Sequence, residues 1–161
     1  MVGVKYLIAP NGDEETLERH NFNRVFEGEN VSVFENLEMM PRVFLASNYE
    51  GPPPLADVTN MANEEIAKER RKLVFDRLLD PAFDWRSVLI LEKPSPISPQ
   101  FGQGDARIVS YKPREVVVHT MSLEPKILFL SDNYYPGWKA KVDGEETEIF
   151  RANYTFRAVP L

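Results

Sequence analysis

The sequence contains no cysteine, which excludes disulfides and thiolate metal sites. Histidine is scarce: only His20 and His119 occur, far apart in the chain. His119 stands in "VVVHTM" out of step with the apolar alternation, so it is expected on the exposed side of a strand. Neither histidine is read as a metal ligand or general base. Long apolar runs are also missing. The longest are "VLIL" (88–91), "VVV" (116–118) and "ILFL" (127–130), far short of the roughly 20 residues that span a bilayer. The opening "MVGVKYLIAPNG" is too short and too mixed for a signal peptide. The chain by itself is therefore expected to be soluble.

Positive charge is in deficit. With 19 Lys and Arg against 25 Asp and Glu, the formal net charge is −6. A nucleic-acid partner is not expected, because phosphate binding needs clustered cations. Catalytic signatures are absent as well: no nucleophile elbow, P-loop, zinc spacing or dinucleotide-binding glycine pattern is present. "NGDEE" lacks the alternating oxygen ligands of a calcium loop. The acid pairs Asp80/Asp84 and Asp13/Glu14/Glu15 fall at expected helix ends, where capping accounts for them better than glycosidase chemistry. No catalytic residue, metal site or cofactor is assigned.

What is present is an ordinary folding composition, 43% hydrophobic and 27% charged over 161 residues. That length fits one domain, or one with a small appendage, burying about 70% of its unfolded surface. Thirteen prolines imply long ordered loops between strands.

Along the chain, "VGVKYLIA" (2–9) reads as a first strand closed by "PNGD". "DEETLERH" (13–20) predicts one or two helical turns with acids at the favourable end. "FNRVFEG" and "NVSVFEN" flank Gly28, Glu29 and Asn30 as a hairpin. In it Phe22, Val25 and Phe26 are set against Val31, Val33 and Phe34. "PRVFLAS" (41–47) is another strand. A proline-rich loop, "NYEGPPPLADVTN" (48–60), then leads to the one long helix, "NEEIAKERRKLVFDRLLD" (63–80). Its Ile66, Leu73, Val74 and Leu78 share a face, Asn60 or Asn63 supplies the cap, and Pro81 ends it. The cations Lys68, Arg70, Arg71, Lys72 and Arg77 on this helix are read first as a solvated face with paired acids, and second as a binding patch.

From Trp85 onward strand follows strand: "WRSVLILEK", "DARIVSYK", "EVVVHTMS", "KILFLSD", "GWKAKVDG", "ETEIFRA" and "NYTFRAV". Their short spacing, broken by Gly, Pro, Asn and Asp, favours an antiparallel sandwich over a parallel sheet. The expected fold is mainly β with one long helix, α+β in class: an antiparallel, jelly-roll-like β-sandwich lacking its last strand. The expected divisions are a β-hairpin segment (1–48), the loop and helix (49–84) and the sandwich (85–161), truncated at its C-terminus. The strand pattern running up to Leu161 is expected to leave an unpaired sheet edge, as in a segment cut from something longer.

The most informative stretch is "YYPGWKAKVDGEETEIF" (134–150). Pro136-Gly137 predicts a type II corner and Asp143-Gly144 a primed two-residue hairpin turn. Alternation places Trp138, Ala140 and Val142 on one face of the strand and Lys139, Lys141 and Asp143 on the other. Two readings of Trp138 stand: a core residue, which the alternation favours, or a platform for stacking on sugar. One of Tyr134 and Tyr135 is expected to face solvent.

"GVKYLI", "VFEN" followed by "PRVFL", and "LSDNYYPGWKAKVDGEETEIFRANYTFRAV" together resemble the C-terminal part of bacterial YfhO-type membrane proteins, which are similar to GT-C glycosyltransferases. The specific part is Tyr135-Pro136-Gly137-Trp138-Lys139-Ala140, then Val142-Asp143-Gly144, Arg151-Ala152-Asn153 and Phe156-Arg157-Ala158. The resemblance covers essentially the whole chain. It implies a β-rich portion on the extracytoplasmic face of the bacterial cell membrane, within a polytopic protein. It also implies partners: the membrane-embedded part of the same polypeptide, a cell-envelope glycopolymer such as teichoic acid, or a polyprenyl-phosphate sugar. The family's catalytic acid lies in a loop that nothing here matches. After "FRAVPL" the family continues with a glycine-containing turn, a strand and a membrane helix, which this sequence lacks. The expected role is to orient acceptor or donor, with Tyr134, Tyr135, Trp138, Asn153 and Arg157 as the contact surface, set against a structural ion pair for Arg157. The alternatives are a non-catalytic docking module and a free-standing carbohydrate-binding module.

Overall fold

The computed structural model of the chain describes residues 3–12, 14–54 and 62–161. It forms two compact units, Met1–Arg42 and Val43–Leu161. Strands dominate both, and the class is mainly β, α+β, with several antiparallel sheets in a sandwich-like fold.

In the first unit, β1 (Tyr6–Pro10), α1 (Glu14–Arg19), β2 (Phe22–Glu27) and β3 (Val31–Asn36) make a three-stranded sheet in the order β1-β3-β2, antiparallel throughout. Its small core is Ala9, Phe22 and Phe34, with Leu7 and Leu17 packed against it. Leu17 is the helix's contribution, which explains why so short a helix forms: its apolar residue is covered by the sheet. The hairpin expected around Gly28 is present, but a bulge between Arg24 and Phe26 shifts its phase. The extra residue sends Val25 and Phe26 outward, 48% and 59% exposed, so only Phe22 and Phe34 of the expected apolar set reach the core. Asp13 and Asn60, expected as helix-end residues, lie outside the described residues, as does part of the proline-rich loop.

The second unit is organised around the sheet β12 (Phe150–Ala152), β13 (Phe156–Pro160), β9 (Ile127–Leu130) and β4 (Val43–Ala46), in that order. β9 is apolar at every position because both its faces are covered. Phe129, fully buried, packs its ring 4.8 Å from Phe44 and 5.4 Å from Phe156, centroid to centroid. The last strand, β13, pairs with β12 on one side and β9 on the other. The unpaired edge expected at the chain's end is therefore not formed there, since the strand is inserted into the sheet rather than added to its side.

The rest of the unit hangs on this sheet. β5 (Asn48–Glu50) and β6 (Val88–Ile90) pair in parallel, the one departure from the antiparallel pattern among the described strands. α2 (Asn63–Leu79) packs Val74 and Leu78 against Phe83 and Ile90. Its first helical residue is Asn63, so Ala62 holds the cap position, and the Glu65 carboxylate accepts the Ala62 N–H at 3.0 Å. β7 (Gly104–Lys112) and β8 (Glu115–Ser122) form a long ribbon, and β10 (Ala140–Val142) with β11 (Glu145–Thr147) a short hairpin. "ETEIFRA", expected as one strand, is thus divided between β11 and β12 in different sheets. Among the described residues, no helix is long and apolar enough to cross a membrane.

Candidate functional site

Register places Leu130 opposite Arg157 and Leu128 opposite Val159, so these four side chains share one face of the central sheet. That face floors a cleft of about 730 Å³. Val116 and Val118 of β8, and Ala140 and Val142 of β10, form its apolar walls. The size is within the range of small-ligand sites.

Trp138 stands in this cleft because of two turns. Gly137, at φ +104°, completes the Pro136-Gly137 corner, with the Trp138 amide 3.5 Å from the Tyr135 carbonyl. Asp143 and Gly144, at φ +51° and +93°, make the primed turn that pairs β10 with β11. Both turns are as the sequence predicts. The strand's alternation then leaves Trp138, Ala140 and Val142 half-buried and Lys139 and Lys141 exposed.

Arg157 is the partner of the indole. Its guanidinium carbon lies 4.2 Å from the Trp138 ring centre, within cation–π range, and its Nε donates to the Asn133 carbonyl at 2.8 Å. The side chain is buried, so a backbone acceptor and an aromatic face take the place of the ion pair weighed for it. The remaining predicted residues separate. Tyr135 is 71% exposed on the rim of the same cleft. Tyr134 is half-buried, its ring 4.9 Å from the Arg151 guanidinium carbon, while its amide donates to the Thr155 carbonyl at 2.6 Å.

Asn153 is not brought to this surface. It is 2% exposed, at φ +45°, and faces the backbone of Ile90. Its Oδ1 accepts the Ile90 N–H at 2.7 Å and its own N–H donates to the Ile90 carbonyl at 2.8 Å. Asparagine suits this position because its side chain tolerates a left-handed backbone and substitutes for a strand neighbour.

The cleft carries cations that sequence reasoning did not assign to it. Arg114, Lys139, Lys141 and Arg157 line it, against Glu115 and Asp143. Lys139 reaches Glu146 at 3.9 Å and Glu115 pairs with Lys112 at 3.4 Å. Arg114 and Lys141 have no ion-pair partner among the described residues. Arg114 sits in the β7–β8 turn, distant in sequence from Trp138, so no local pattern announces it.

Elsewhere the acids behave structurally. Asp80 accepts the Ala82 N–H at 2.8 Å and pairs with Arg77 at 2.8 Å. Asp84 accepts from the Ser87 hydroxyl and from the Arg86 N–H, and these bonds hold its carboxyl below the ordinary range, the Ser87 bond contributing most. His119 is exposed on β8, opposite Arg107. Lys126 is 1% exposed and donates to Ser47 Oγ, the Gln100 carbonyl and the Gly102 carbonyl at 2.8, 2.6 and 3.0 Å. Nothing in "EPKILFL" distinguishes that lysine from a surface one.

Comparison with protein-family models, with curated proteins and with solved structures found no match to this chain.

Proposed function

We propose that this chain is a ligand-orienting portion of a cell-envelope sugar-transfer protein, and that the cleft beside Trp138 receives a sugar-bearing ligand. The observation that carries this reading is the Trp138–Arg157 stack within an open, apolar-walled cleft, with the exposed Tyr135 on its rim. Aromatic faces bury the C–H faces of sugars at low entropic cost, and guanidinium and ammonium groups satisfy hydroxyls or phosphates. The extracytoplasmic, membrane-linked setting, with a lipid-linked sugar or glycopolymer as ligand, rests on the resemblance to YfhO-type proteins. In that setting the chain orients donor or acceptor and the reacting groups belong to the membrane part.

Calorimetric titration of the chain with isolated wall glycopolymer tests the binding claim. Saturable binding is expected, weakened about three- to tenfold by Tyr135→Ala, the range for one aromatic contact. Binding that does not saturate, or that Tyr135→Ala leaves untouched, removes the cleft from consideration.

A second reading, a docking module that never touches sugar, is favoured by large apolar side chains left in solvent: Phe101 at 75%, Met121 at 68% and Leu123 at 99% exposure. In a full-length parent, Phe101→Ser with Leu123→Ser then lowers assembly or abundance, whereas Tyr135→Ala lowers glycosylation alone.

A further inference from the structure

A second groove lies away from Trp138, between α2 and the turn joining β12 to β13. It encloses about 350 Å³, near the lower end of small-molecule sites. Ile66, Arg70 and Val74 line it at four-residue spacing, with Ala67 and Arg71 beside them, so one whole face of α2 forms its wall. The floor is apolar: Val74 is 6% and Ile90 2% exposed. Pro52 and Tyr154 close the sides.

The charges on α2 sort by position. Lys72 pairs with Asp76 at 3.7 Å, and Arg77 with Glu50 at 3.0 Å and Asp80 at 2.8 Å. Lys72 answers the solvated-face expectation, whereas Arg77 is half-buried and reaches Glu50 outside the helix. Arg70 and Arg71 differ, because both line the groove and neither has an ion-pair partner among the described residues. The one acid in the lining, Glu92, is held by Arg151 at 3.1 Å. The groove is therefore left with an excess of two guanidiniums over an apolar floor, in a chain whose net charge is −6.

Tyr154 shapes the wall of the groove. It sits at φ +79°, a left-handed conformation that costs a bulky residue about 1–2 kcal/mol. Glycine would occupy the same position without strain. The tight β12–β13 turn, in which Asn153 also has a positive φ, holds a tyrosine, 42% exposed, at the groove wall, with its ring edge-on to Phe75 at 6.3 Å.

We propose that this groove binds a small anionic amphiphile: a phosphate or carboxylate held by Arg70 and Arg71, on a short apolar body lying against Ile66, Val74 and Ile90. The site is separate from the Trp138 cleft and does not depend on the reading given to that cleft.

The test is an NMR titration of the ¹⁵N-labelled chain with n-hexyl phosphate, with inorganic phosphate and n-hexanol as controls. Saturable shifts at Ala67, Val74, Ile90 and Tyr154 are expected. Inorganic phosphate and hexanol should each bind at least tenfold more weakly. Arg70→Ala with Arg71→Ala should weaken hexyl phosphate at least tenfold with the amide spectrum otherwise preserved, both residues being exposed. Ile66→Glu, which keeps both arginines, should also weaken it, and Tyr135→Ala should leave it unchanged. Equal affinity for inorganic phosphate would overturn the amphiphile assignment in favour of a bare anion site. Binding indifferent to the arginine substitutions, or absent altogether, overturns the site.

Discussion

The guanidinium of Arg157 lies over the indole of Trp138, 4.2 Å from carbon to ring centre, while its Nε holds the Asn133 carbonyl at 2.8 Å. One buried side chain thus couples the last strand of the central sheet to the loop that delivers the tryptophan. Arg157→Ala is expected to cost about 2 kcal/mol, from one hydrogen bond and one desolvated cation–π contact. Arg157→Lys keeps the charge but cannot make both contacts, and should lose about half as much. Denaturant unfolding of Trp85→Phe variants reads both, with Trp138 as the only tryptophan. Red-shifted emission should accompany the loss, and emission identical to the parent would show that the stack does not shield the ring.

Asn153 separates a side-chain effect from a backbone effect. Asn153→Gly removes the acceptor of the buried Ile90 N–H, which should cost about 1–3 kcal/mol. Asn153→Ala removes the same acceptor but, unlike glycine, keeps a Cβ in the left-handed region without the amide that makes it tolerable there, adding about 1 kcal/mol. Thermal unfolding should rank the variants in that order. Equal losses would mean that the positive φ, +45° here, carries no penalty at this turn.

Lys126 is the most buried charge among the described residues, and its three oxygen acceptors come from two separate chain segments, Ser47 from one and Gln100 and Gly102 from the other. Lys126→Met keeps the stem and strands those acceptors, so a loss of about 2–4 kcal/mol is expected. Amide exchange should accelerate locally at 100–104, where two of the carbonyls reside. A variant within about 0.5 kcal/mol of the parent would mean that water replaces the ammonium at little cost.

Asp84 gives a pH dependence with a defined sign. Its folded carboxyl is held low by the Ser87 hydroxyl first and the Arg86 amide second. A depressed acid stabilises the fold above its unfolded pKa, and that contribution disappears as pH falls through the folded value. The parent should therefore exceed Asp84→Asn in stability at pH 7, and the gap should close below about pH 4. The site is exposed, so the gap is small. A gap that widens on acidification would reverse the assignment.

Local chemistry was legible wherever neighbours in sequence decide it. The Asp143-Gly144 and Pro136-Gly137 turns, the α2 face through Val74 and Leu78, and the bounds of β8 follow from residues within a few positions of one another. The alternation that half-buries Trp138 is of the same kind. The bulge at Val25 was not legible, because one inserted residue reverses which face every later side chain takes. Nor was the role of Asn153, whose partner Ile90 is 63 positions away.

The sequence by itself determined the class of the chain, the positions of its turns and the long helix, because these depend on short-range sterics and on the period of apolar residues. Only the tertiary structure decided that the last strand lies inside a sheet and that Arg157 meets Trp138. The same holds for the cations of α2, of which Lys72 and Arg77 are paired and Arg70 and Arg71 face a groove. Those outcomes depend on which distant segments pair, and a polar side chain with several acceptors within reach carries no mark of its partner until the packing of apolar neighbours has set the register.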